Sequence, residues 1–148
     1  MSAELLLSEI LDEFKTLTDE NQQIEFLRKH DNKRFRDFFQ CLYHPNIKFD
    51  VEIPTYRPAP EPAGLNLTYL DIELGRIYIF IKGHPKRSPN LTKERQTTIL
   101  KTILESLHKD EADCMVKMLN KDIQIPTLTK KLVNKKLVKK AFPDLDLG

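Results

Sequence analysis

The sequence predicts an all-α fold: a compact bundle of about six to seven short helices carrying a long proline-rich connection. Three observations predict it. Apolar residues recur at helical spacing through most of the chain, cap-forming residues stand ahead of those stretches, and the 148 residues, 40% hydrophobic and 31% charged, suit one domain with one core spanning residues 1–148.

Residues 3–17 read as an amphipathic helix, since Leu6, Ile10, Leu11, Phe14 and Leu17 share one face. Asp19 caps a second helix that buries Ile24 and Leu27. In the third, Phe35, Phe38, Phe39 and Leu42 occupy i, i+3, i+4 and i+7, with Asp31 or Asn32 as N-cap and Pro45 beyond the end. Such an aromatic stripe is core. Residues 46–64 exclude helix, because Pro54, Pro58, Pro60 and Pro62 alternate with other residues. They form a connection lying over the helices, with a short extended piece at 47–51.

Residues 66–82 carry two signals. The run from Ile77 to Ile81 has strand propensity, and Gly75 weakens a helix by roughly 1 kcal/mol relative to Ala. Leu67, Leu70, Leu74, Ile77, Tyr78 and Ile81 nevertheless keep helical spacing, and Thr68 with Asp71 forms a capping box, so the expectation is one helix. After a basic loop over 82–90, Thr92 caps a helix that buries Ile99, Leu100, Ile103, Leu104 and Leu107. Asp110 and Glu111 start another by complementing its dipole, with Ala112, Met115, Val116 and Leu119 inward and Pro126 at its close.

Chemistry-bearing motifs are missing. The four glycines are isolated, so no phosphate-cradling loop exists. His30, His44, His84 and His108 have no metal-ligand spacing and read as surface or cap residues. Cys41 and Cys114 form no C-x-x-C pair. The expectation is a non-enzymatic protein with no cofactor, no metal and no evident small-molecule substrate. Two distant cysteines, short apolar runs and an N-terminus without a positive region point to a cytoplasmic protein with no membrane partner.

The net charge of +2 conceals a segregation. Residues 1–30 are acidic, whereas Lys130, Lys131, Lys135, Lys136, Lys139 and Lys140 crowd one stretch without an acid. Within a basic C-terminal segment at 127–142, Thr127 opens a helical turn and Asn134 caps a second. Leu137, Val138, Ala141 and Phe142 then share one arc, and Lys135, Lys136, Lys139 and Lys140 the opposite one. A lysine face serves solubility or phosphate binding; in the second role it supplies charge without base readout. Candidate DNA-binding residues are therefore Lys130, Lys131, Asn134, Lys135, Lys136, Lys139 and Lys140, with Lys121, Lys86 and Arg87. No exposed aromatics are interleaved with the lysines, which favours double-stranded DNA over a single strand.

The run from Glu111-Ala112-Asp113-Cys114 to Lys121-Asp122-Ile123, then Asn134-Lys135 and Ala141-Phe142-Pro143-Asp144-Leu145, resembles the close of the N-terminal helical DNA-binding domain of T-even-type phage ATP-dependent DNA ligases. The opening from Ile10 to Leu42, with Leu27-Arg28-Lys29-His30-Asp31-Asn32 at a helix join, is similar too. Over nearly its full length the chain resembles small uncharacterised proteins of T-even-like phages, through Leu107, His108, Glu111, Ala112 and a final Ala141-Phe142. The resemblance implies a ligase-domain-like fold, a phage accessory role on duplex DNA and the host cytoplasm. It departs where Ile125 and Pro126 replace a glycine and small hydroxyl residues, and the ligase's Lys-x-Asp-Gly nucleotidyl-transfer motif is absent. The competing expectation is an adaptor for a phage or host replication or transcription protein, using the acidic N-terminal helices or the proline-rich 52–62 segment. The end of the chain, with Asp144, Leu145, Asp146, Leu147 and Gly148, resembles tails that dock on sliding clamps.

Overall fold

The computed structural model describes residues 6–14, 16–62, 65–121 and 135–148. Among them seven α-helices and one 3-10 helix run in chain order: α1 (Leu7–Phe14), α2 (Glu20–Lys29), α3 (Lys33–Tyr43), α4 (Leu70–Glu73) leading into the 3-10 helix (Leu74–Phe80), α5 (Lys93–Ser106), α6 (Lys109–Leu119) and α7 (Lys135–Ala141). No strand longer than a single bridge occurs among the described residues. The all-α expectation holds.

Side-chain caps set most of the starts. Asp19 accepts from the Asn21 amide at 3.3 Å, Asn32 from Phe35 at 2.9 Å and Thr92 from Arg95 at 3.1 Å. Each satisfies a donor that the first helical turn leaves without a carbonyl. Three histidines sit at helix ends: His30 and His44 close α2 and α3, and His108 opens α6 by accepting from the Asp110 amide at 3.2 Å. The core joins Leu11 and Phe14 of α1, the three phenylalanines of α3, Leu100 and Leu104 of α5 and Met115 of α6, all at most 1% exposed. Helix α6 packs against α1, α3, α4 and α5, whereas α7 packs on α2.

The described part of the connection, residues 46–62, lies over the helices and meets their ends at two bridges. Phe49 pairs antiparallel with Ile81, and Ala59 pairs parallel with His108. The extended piece expected at 47–51 is therefore present, and it brings Asp50 beside α5.

Residues 66–82 correct the sequence reading. They form no single helix: α4 gives way to a 3-10 helix, and Arg76 leaves helical geometry at φ −123, ψ 21. The capping box is absent as well. Thr68 donates instead to the Glu73 carboxylate at 2.6 Å, and Tyr69 is the N-cap, with no capping bond from its side chain. The buried residues Leu74, Ile77 and Phe80 stand three apart, the period of a 3-10 helix, while Leu67 is 88% exposed. The apolar spacing fits two periods, and burial of Phe80 selects the tighter one.

Candidate functional site

Helix α7 divides as its sequence predicts. Leu137, Val138, Ala141 and Phe142 are buried, and Lys136, Lys139 and Lys140 are exposed. Lys135 opens the helix. Lys130, Lys131 and Asn134, with the expected turn at Thr127 and the expected helix end at Pro126, lie outside the described residues.

The anchoring of α7 is specific. The Phe142 ring meets Phe35 edge-on at 6.3 Å and Phe39 at 6.5 Å, and the Arg36 guanidinium lies 5.0 Å from its centroid. From α2, Arg28 donates to the carbonyls of Lys140 and Ala141, both at 3.0 Å. These are carbonyls a helix C-terminus leaves without internal donors, so Arg28 is a side-chain cap supplied from another helix. Sequence reasoning missed Arg28. Its partners stand 112 and 113 residues away, and no local pattern encodes such a contact.

Electrostatics on this face are mixed. Lys140 pairs with Glu20 at 2.6 Å, and that hydrogen bond with its attraction holds the Glu20 carboxyl below its usual range. Both partners are about half exposed, so the pair contributes little to stability. Lys136 and Lys139 form no ion pair among the described residues, although each adds to the attraction at a nearby carboxylate, Glu20 and Asp146 respectively. The outward charge therefore rests on Lys136 and Lys139, with Lys140 shared.

Three other expected residues are placed elsewhere. Lys121 donates to the His44 carbonyl at 2.7 Å, lies 5.7 Å from the Phe49 ring centroid, and has its pKa lowered by burial. Arg87 holds Asp50 at 2.6 Å and the Ile81 carbonyl at 3.2 Å, with its side chain only 17% exposed. Burial opposes the Asp50 charge, but Arg87 and the Gln96 amide keep its carboxyl below the usual range. These two cations hold the connection to the helices. Lys86 is exposed, yet it lines a groove beside α3 rather than α7.

The end of the chain is docked on its own body. Leu147 is fully buried and Leu145 is 9% exposed. Arg36 bonds Asp144 at 3.1 Å, and Gln40 donates to the Asp146 carbonyl at 3.0 Å. Docking on a clamp through these leucines would require unpacking them.

Glu111 also departs from its expected role. It is 1% exposed, and its carboxylate accepts from the Leu70 amide at 3.0 Å. Burial pushes its pKa up to about 7, against the stabilising bond from the Leu70 amide. Glu111 thus serves the start of α4 across the core, beyond any dipole effect on its own helix. Cys41 and Cys114 are unbonded and buried, and burial raises both thiols, Cys41 to about 12. Among the described residues no helix is long and apolar enough to cross a membrane.

The sequence model of a family of unknown function, DUF6433, matches residues 10–125, from α1 through α6 but short of α7. No curated protein matches the chain.

Proposed function

The chain belongs to DUF6433, a family of unknown function, and we propose that it binds the backbone of duplex DNA, without catalysis, through the outer face of α7. The observation that carries this reading is the division of α7. Its apolar arc is locked by Phe142 and Arg28, so Lys136 and Lys139 stand in solvent on a rigid support. Each lysine that meets a phosphate releases a condensed counterion, a gain independent of base sequence. The aromatic residue beside α7, Phe142, is buried, which favours a duplex over a stacked single strand. The resemblance to the phage ligase DNA-binding domain supports the same ligand in a phage accessory role, in the host cytoplasm.

The test is the anisotropy of a short labelled duplex titrated at several salt concentrations. Affinity should fall at least ~10-fold between about 50 and 200 mM salt, the loss expected when two or more phosphates are engaged. Unchanged affinity across that range overturns the reading.

A second reading, an adaptor for a replication or transcription protein, is favoured by one observation. Leu65, Leu67 and Ile72 are 70%, 88% and 59% exposed just after the proline-rich connection. Affinity capture after nuclease treatment, with wild type and the Leu67→Asp/Ile72→Asp variant, separates the two. A nuclease-resistant partner lost from the variant supports the adaptor; capture that disappears with nuclease supports DNA.

A further inference from the structure

A second basic region, away from α7, is concave. The groove bounded by α3, the 3-10 helix and the following loop encloses about 540 Å³, within the usual size range of small-molecule sites. Lys33 and Arg34 line it from the start of α3, and Lys82 and Lys86 from the loop; Asp37 is the one carboxylate on its lining. Asp37 is shared, 3.5 Å from Lys33 and 3.3 Å from Arg34, so positive charge is left in excess. A cleft with excess charge of one sign concentrates the field and draws in anions.

Two details give the groove shape as well as charge. The Arg34 guanidinium lies over Gly75, where a Cβ would stand 2.9 Å from Nη2. Glycine lets the planar fork settle against the backbone, and Asp37 fixes one end of it, the arrangement suited to a phosphate oxygen pair. In the loop, Gly83 turns the chain at φ +77, a conformation glycine adopts without a Cβ clash. His84 Nδ1 then accepts from the Lys86 amide at 3.1 Å, so the neutral ring carries its proton on Nε2 and keeps a donor. Beside the polar Gln40 and Asn46, the lining also has an apolar and aromatic side: Ile47, Ile77 and Ile81, with Tyr78, whose ring is tilted 34° to His84 at 5.5 Å. Cations beside a flat apolar wall suit a ligand that joins a phosphate to a planar ring.

We infer that this groove binds a nucleoside monophosphate, with Arg34, Lys82 and Lys86 on the phosphate and Tyr78 against the base. The inference goes beyond the DNA reading and does not rest on it, since no α7 residue lines the groove.

Calorimetric titration of the full chain with each of the four ribonucleoside 5′-monophosphates, adenosine and inorganic phosphate tests it. At least one monophosphate should bind with a Kd of roughly 1 mM or tighter, about tenfold better than phosphate or adenosine alone. Arg34→Ala and the Lys82→Ala/Lys86→Ala pair should each weaken that binding about tenfold. Gly75→Ala should weaken it too, by crowding the guanidinium, while the thermal midpoint is kept or raised. The Lys136→Ala/Lys139→Ala variant should bind the monophosphate as wild type does. Absence of saturation by any monophosphate at about 10 mM, equal affinity for phosphate alone, or unchanged binding in the Arg34 and lysine variants overturns the inference.

Discussion

The joint around Asp50 and the outer face of α7 are both rich in cations, and they use them in opposite ways. At the joint, Arg87 and the Lys93 ammonium are engaged by Asp50, and nearby Lys121 by the His44 carbonyl. On α7, Lys136 and Lys139 find no such acceptor among the described residues, and their helix is held in place by apolar contacts and by Arg28. The difference teaches that a lysine or arginine count says little about a binding surface. What decides is whether the chain places an internal acceptor within reach.

The largest way to break the contrast is to remove the anchor of α7. Phe142→Ala deletes a ring that is 1% exposed and should destabilise the fold by about 3–5 kcal/mol, read from the urea midpoint. A loss under about 1 kcal/mol would mean that α7 is not held by this ring, and the lysine face would lose its support.

Glu111 gives the next effect, because it is the inward charge with the least solvent. Its folded pKa, about 7, lies above the ordinary 4.5. Its contribution is therefore fully present below about pH 4.5 and is lost as pH rises through 7. Stability should fall between those values by up to ~3 kcal/mol from this group alone. Glu111→Gln keeps an acceptor for the Leu70 amide and should flatten that part of the profile. Parallel wild-type and variant curves from pH 5 to 8 would contradict the assignment.

Arg87→Met comes third. It leaves Asp50 in a site where its side chain is 23% exposed, with the Gln96 amide at 3.3 Å, and should cost about 2 kcal/mol in chemical denaturation. Its effect on DNA affinity at a temperature where the variant is folded should be negligible. A large one would return Arg87 to the candidate DNA-binding residues.

The sequence disclosed what local rules control. The caps Asp19 and Thr92, a cap at Asp31 or Asn32 that the structure places at Asn32, the aromatic stripe of α3 and the two-faced character of α7 follow from spacing and side-chain chemistry within one or two turns. It was blind where a distant residue decides. One apolar spacing fitted both a 3.6 and a 3.0 period over 66–82, and packing of Phe80 chose the second. Glu111 read only as a helix-start acid because its acceptor role toward Leu70 spans 41 residues. Arg87 and Lys121 looked available for the same reason, since their acceptors lie 37 and 77 residues earlier. Of the candidate site, the helix and the exposure of Lys136 and Lys139 were legible; the cap from Arg28 and the pairing of Lys140 with Glu20 were not.

The smallest structural perturbation is also the most direct test. Lys136→Ala/Lys139→Ala should leave the unfolding free energy within about 0.5 kcal/mol of wild type, because both side chains stand in solvent. The slope of log affinity for duplex DNA against log salt should become shallower by about 1.8, close to 0.9 for each lost phosphate contact. An unaltered slope in the folded variant would contradict the assignment of α7 as the DNA-contacting face.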